Sequence, residues 1–329
     1  MSVPMSVPAS VPVSDPASVD LSTDLAGVTL PNPVMTASGC AAAGRELDPF
    51  FDVTELGALV TRSVTLDPCA GWPTPRMVET ANGMLSAVGL QGPGLQGFLA
   101  TELPWLAQRR ARAVVSIAGT TLGEYGALAR RIGTSPGVTA LEVNLSCPNA
   151  DNRGREFAAD PYQASKVLSV VRRDLPRGLP VLAKLNADPE SIVDVGRAVV
   201  KAGADALVAV QPVPGMAIDP VTLRPALGAV TGGLSGPAIH PLAVRCVWLL
   251  HEALPEVPLV GVGGVRTGFD ALALLLAGAS AVQVGTVIFS DPSAPVRILG
   301  ELREELARRN ITRVSDVVGR AHLPEGEQP

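Results

Sequence analysis

Six consecutive residues, Asn144-Leu145-Ser146-Cys147-Pro148-Asn149, bring a thiol, a hydroxyl and two amides to one point of the chain. They follow the run Ala140-Leu141-Glu142-Val143, which reads as a strand, and Pro148 has no N–H with which to extend a ladder. The polar groups are therefore carried into a loop, continued by a long polar connection over 150–160. A thiol there can act as a base if its pKa approaches the working pH and water is excluded. A free cysteine is also often a buried, inert hydrophobe, so Cys147 by itself does not choose between the two roles.

The elements that must position this loop alternate along the chain. Short, Val-rich apolar runs at 34–36, 58–63, 114–118, 141–144, 181–185, 206–210, 259–261 and 281–284 have the character of parallel strands buried on both faces. Helical stretches are expected at 94–110, 121–132, 160–174, 189–203, 238–253, 268–277 and 293–309. Asp160-Pro161 and Asp188-Pro189 are start signals, with Asp as cap and Pro in the first turn. Gly203 and Gly278 are helix stops placed directly before strands. Eight strands alternating with helices predict an α/β fold, a (β/α)8 TIM barrel. A doubly wound open sheet is the alternative, but no GxGxxG follows the first strand.

In such a barrel, function belongs at the C-terminal ends of the strands. Those ends carry Ala37-Ser38-Gly39, Thr61-Arg62-Ser63, the Cys147 loop, Lys184, Gln211, Gly263-Gly264 and Gly285-Thr286. Glycines let backbone N–H groups approach phosphate oxygens and a threonine hydroxyl adds a donor, so the last two pairs suit a phosphate. Each glycine pair alone would equally make a plain turn. Lys184 sits inside Val181-Leu182-Ala183-Lys184-Leu185. A charge in a buried strand is costly unless paired, or unless its stem carries the ammonium to the rim.

Bulk properties narrow the class. The net charge of −5 and pI near 5.3 lack the basic face that nucleic acid requires. Cysteines 40, 69, 147 and 246 are too scattered for a CxxC-type metal site, so no metal is expected and the thiols read as reduced, in a cytoplasmic protein. No apolar run reaches the roughly 18 residues of a membrane helix. Ser-Val-Pro recurs at Ser2, Ser6 and Ser10, which predicts a disordered tail over 1–18 ahead of one domain over 19–329.

Taken as a set, several stretches resemble the class 1 dihydroorotate dehydrogenases, from about Asp20 to the C-terminus. They are Asn32-Pro33-Val34-Met35, Ala37-Ser38-Gly39, Gly83-Met84-Leu85, Val88-Gly89-Leu90 and the Cys147 loop. Gly215-Met216-Ala217-Ile218-Asp219, 231–237, Gly263-Gly264 and Gln283-Val284-Gly285-Thr286 complete the resemblance. It implies a TIM barrel that binds FMN and oxidises or reduces a C–C bond next to a carbonyl. It also implies a homodimer and, in some members, a separate iron–sulfur flavoprotein subunit for electron transfer.

Carried over, Gly263, Gly264, Gly285 and Thr286 hold the phosphate. Ala37, Ser38, Gly39, Thr61, Arg62, Asn144, Ser235 and Gly236 lie along the flavin, and Lys184 sits at its pyrimidine edge. Cys147 is then the base that takes a proton beside a carbonyl while hydride leaves the adjacent carbon. Arg62, Ser86, Val88, Gly89, Leu90, Asn144, Asn149, Gln211 and Pro212 form the substrate side.

That side departs from the family pattern. Arg62 stands for a lysine, Ser86 for an asparagine, Gln211-Pro212 for Asn followed by Thr or Ser, and Asn186-Ala187-Asp188 for a Ser-Pro-Asn type of sequence. Altered polar contacts to one ligand cost heavily in recognition. The expectation is therefore a carbonyl-containing substrate other than dihydroorotate, handled by a specialised desaturase or enone reductase. A genuine dihydroorotate dehydrogenase is the alternative, and a Schiff-base aldolase using Lys184 is the reading from another class.

Overall fold

The computed structural model describes residues 15–148, 150–152 and 154–324. Eight parallel strands form the central sheet: β1 (Val34–Thr36), β2 (Leu59–Val60), β3 (Ala113–Ile117), β4 (Val138–Asn144), β5 (Val181–Leu185), β6 (Ala206–Ala209), β7 (Leu259–Val262) and β8 (Ala281–Val284). Their spatial order is β1-β8-β7-β6-β5-β4-β3-β2. A parallel bridge between Met35 and Ala58 joins the two ends into a barrel. Thr36 reinforces that seam, its hydroxyl donating to Val60 O at 3.1 Å and accepting from Val60 N at 2.9 Å.

Strand side chains alternate between faces, and the apolar ones separate into two clusters. Val60, Val114, Ala140, Leu182, Val208 and Val260 belong to the barrel interior. Val115, Leu141, Val143, Ala183 and Leu207 join the shell between strands and helices. Fully burying one such Leu or Val contributes about 1.5–3 kcal/mol.

Helix starts follow the sequence signals with one correction. Asp160 accepts from Tyr162 N and Gln163 N at 2.8 and 3.0 Å, opening the helix Pro161–Asp174. Asp188 makes the expected cap bond, accepting from Glu190 N at 3.1 Å and from the Ser191 hydroxyl, but it caps a separate turn closed by Ile192 N on Asp188 O, and the helix runs Ile192–Lys201. The stretch expected as one helix over 94–110 contains a five-residue π turn, Phe98–Glu102. Between β1 and β2 only a 3-10 turn, Val53–Glu55, is formed.

A second sheet of four antiparallel strands was not expected. It runs in the order Val213–Gly215, Gly232–Ser235, Gly83–Ser86, Met77–Thr80. These strands come from the connections after β2 and β6, so they stand at the C-terminal mouth of the barrel. At the other end of the chain, Pro16–Ser18 form a turn capped by Asp15 and Val19 is buried. The described chain thus includes the last residues of the expected tail; residues 1–14 lie outside the described residues.

Candidate active site

A single cleft at the strand C-termini collects most of the residues singled out from the sequence. Ala37, Ser38 and Gly39 reach it from β1, Arg62 from β2, Asn144 from β4 and Lys184 from β5. Gln211 and Pro212 enter after β6, Gly263 and Gly264 after β7, and Gly285 and Thr286 after β8. The mouth sheet adds Ser86, Ser235 and Gly236, with Val88 and Leu90 beside it. It also brings Met84, from the Gly83-Met84-Leu85 stretch, and Met77, which the sequence did not mark, and Cys40 joins them from the β1 loop. Among the described residues on this wall, the charged side chains are Arg62 and Lys184, both cations.

The glycine end fits a phosphate. Gly263 and Gly264 have φ of +135° and +72°, a region L side chains rarely adopt. A Cβ on Gly264 would lie 2.6 Å from His240 Cβ and 2.8 Å from Gly236 O. His240 Nδ1 hydrogen-bonds with Gly263 O at 2.9 Å, which fixes the loop from the helix side. Bare backbone held this way is what an anion needs. Gly264→Ala should weaken FMN retention at least tenfold, since the left-handed conformation alone costs about 1–2 kcal/mol for a side chain. Flavin fluorescence released on dilution measures it, and unchanged retention would remove the loop from the cofactor site.

The amide side is already wired. Gln211 Nε2 donates to Asn144 Oδ1 at 2.8 Å, Asn144 Nδ2 to Ser63 Oγ at 3.2 Å, and Ser63 and Ser116 share a hydroxyl contact of 2.9 Å. Gln211, one carbon longer than the expected Asn, therefore keeps its amide next to Asn144. Asn186 does not line the cleft; it accepts from the Ser146 hydroxyl and donates to Glu156 at 2.9 Å, bracing the Cys147 loop.

Three expected site residues are placed elsewhere. Thr61 is buried, donating to Arg62 O at 3.0 Å and accepting from Ser116 N at 3.2 Å. Gly89 faces Trp72, whose Cδ1 would sit 2.2 Å from an added Cβ. Cys147 is 1% exposed, and its Sγ points to Asn144 O at 3.6 Å rather than into the cleft. The Tyr125 hydroxyl donates to the same carbonyl at 2.6 Å. Burial pushes the Cys147 thiol up to about 12; the Tyr125 hydroxyl beside the sulfur opposes the shift and Glu156 adds to it. Asn149 lies outside the described residues. Glu142 and Gln283, to which the sequence assigned no site role, are both fully buried beneath Lys184. A lone acidic residue in the apolar run 140–143 was the available signal.

Comparison with known proteins decides the family. A sequence profile described as dihydroorotate dehydrogenase matches residues 20–306. The chain belongs to the dihydroorotate dehydrogenase family. A protein of Geobacter sp. (strain M21), named dihydroorotate dehydrogenase B (NAD(+)), catalytic subunit, is 44% identical over 91% of this chain and 97% of its own. The namesake from Pelobacter propionicus is 46% identical over 90% and 96%. The fold is also that of the Eimeria tenella dihydroorotate dehydrogenase solved with ferulenol, at a TM-score of 0.75 and 22% identity over 98% of this chain and 92% of that one. This dihydroorotate dehydrogenase homologue is thus a class 1 member, an FMN-dependent oxidoreductase acting on a CH–CH bond. The aldolase reading of Lys184 falls with that finding. No helix among the described residues is long and apolar enough to cross a membrane.

Proposed function

We propose that the protein oxidises dihydroorotate to orotate as the FMN-bearing catalytic subunit of a dihydroorotate dehydrogenase B. The observation that carries this reading is the cleft wall whose charged side chains among the described residues, Arg62 and Lys184, are both cations, as a carboxylate substrate and an anionic cofactor require. The names of relatives some 45% identical over nine-tenths of the chain support it. The expectation of a different substrate rested on Ser86, Gln211 and Pro212, and likeness on that scale outweighs three side chains. The retained Gln211–Asn144 amide pair offers a compensating contact.

FMN, when bound, supplies the hydride acceptor. Arg62 holds the substrate carboxylate with its planar, two-pronged donor. Asn144 and Gln211 present amides to the ring imide, which both donates and accepts. The loop turns Cys147 inward from its bond to Asn144 O, and the thiolate takes the proton beside the carbonyl as hydride leaves the neighbouring carbon. One C=C bond forms, with two electrons passing to the cofactor and one proton to sulfur. The relatives' names point to a second subunit that passes the electrons to NAD+, and we place this chain in the same arrangement, as a homodimer of catalytic subunits.

The test is to mix the oxidised, flavin-loaded protein with dihydroorotate in the absence of oxygen. Flavin absorbance should bleach within seconds and orotate should appear in equal amount. A flavin that stays yellow through many minutes would overturn the substrate assignment while leaving the family intact.

A further inference from the structure

Beneath the cleft, the barrel interior holds a polar group that the proposed reaction does not use. Along β4 the inward positions are Ala140, Glu142 and Asn144. Ala140 belongs to the apolar interior and Asn144 to the cleft wall, so Glu142 lies one layer below the floor. On β8, Ala281 and Gln283 repeat the pattern, as do Leu182 and Lys184 on β5. Glu142 and Gln283 are 0% exposed and Lys184 3%. Gln283 Nε2 donates to Glu142 Oε2 at 2.7 Å, and Lys184 Nζ donates to Gln283 Oε1 at 3.3 Å and to Ser38 Oγ at 3.0 Å. The Gln283 amide therefore bridges an anion and a cation. Glu142 Oε1 has no hydrogen-bond partner and stands 3.9 Å from Lys184 Nζ.

Stability does not account for this arrangement. Apolar side chains fill the interior around it, and a buried ion pair replaced by well-packed hydrophobic residues leaves a protein as stable or more so. A buried carboxylate with one oxygen unpaired is costly, so its retention points to what it does to the charge at the cleft floor. Lys184 presents that charge to the flavin, favouring the reduced cofactor, which carries more negative charge. The Glu142 carboxylate opposes part of that field, and through Gln283 it fixes where the ammonium points.

We propose that Glu142 is a positioning residue that acts through Gln283 and Lys184 to hold down the reduction potential of the bound FMN. A lower potential eases passage of the electrons to the next carrier. The inference rests on the function proposed above, with FMN lying over Lys184 as the family resemblance implies.

The experiment is a redox titration of the flavin-loaded protein and its Glu142→Gln variant, a neutral isostere, with Glu142→Asp as the conservative control. Glu142→Gln should favour reduced over oxidised FMN about tenfold more than the wild type, a rise of ~30 mV for a two-electron couple. Sulfite is an independent probe, because its addition to flavin N5 leaves negative charge on the same half of the ring. Its affinity should tighten about tenfold in Glu142→Gln, and Glu142→Asp should stay near the wild type on both measures. An unchanged potential and sulfite affinity in Glu142→Gln would overturn the inference alone. So would a Glu142→Gln protein that folds but takes up no flavin, which would show a merely structural part. A wild-type protein without FMN would instead defeat the cofactor placement on which the inference stands.

Discussion

Replacing Cys147 by serine should leave FMN bound and slow the anaerobic bleaching by dihydroorotate by about 10²–10⁴-fold, the usual contribution of a positioned general base. FMN should stay because the Cys147 side chain does not line the cleft. The rate should fall because a hydroxyl is a far weaker acid than a thiol and supplies almost no oxyanion near neutrality. The wild-type pH profile follows from the same burial. With the resting thiol pushed up to about 12, the thiolate is a minor species at pH 7, and its fraction grows tenfold per pH unit below that value. The bleaching rate should therefore climb with pH across the neutral range wherever proton abstraction limits it, and the serine variant should remain slow throughout. Stopped-flow absorbance between pH 6 and 9 makes both measurements. Equal rates for wild type and variant would assign Cys147 to packing.

The barrel was legible in the sequence because a strand buried on both faces must be apolar at nearly every position. Runs 34–36, 181–185 and 281–284 have the bounds found in the structure. The run 58–63 shortens to Leu59–Val60, since Arg62 N turns away to donate to Ala42 O at 2.8 Å. The mouth sheet was hidden by composition. Gly232, Gly233 and Pro214 have poor strand propensity, and the two glycines stand where the sheet is crowded. A Cβ on Gly233 would lie 2.6 Å from Pro212 Cβ, and one on Gly232 would lie 2.7 Å from Ser86 O.

That the residues expected along the flavin meet in one cleft was readable because strand ends converge by topology, whichever side chains they carry. The direction of the Cys147 side chain was not, since it depends on Tyr125 reaching the Asn144 carbonyl from the helix Leu122–Gly133. Glu142 was readable in principle. Its place two residues before Asn144 puts it on the inner face, and a carboxylate there asks for a cation that Lys184 supplies from the next strand.

That pairing makes Lys184→Met the second large expected effect. The methionine fills most of the lysine stem but leaves Glu142 buried without its cation, and breaking a buried pair from one side costs about 3–5 kcal/mol. Urea denaturation of the flavin-loaded protein should show a loss of that order, together with weaker FMN retention. The double variant Lys184→Met/Glu142→Leu separates the two causes. With both charges gone, no uncompensated charge stays buried beside the apolar layer of Ala140 and Leu182, although the Gln283 amide loses both of its partners, so part of the stability should return. FMN retention should stay weak, because the cation that faced the cofactor is still missing. A single variant as stable as the wild type would mean that Glu142 does not depend on Lys184. A double variant that regains full FMN retention would mean that Lys184 serves the fold and not the cofactor.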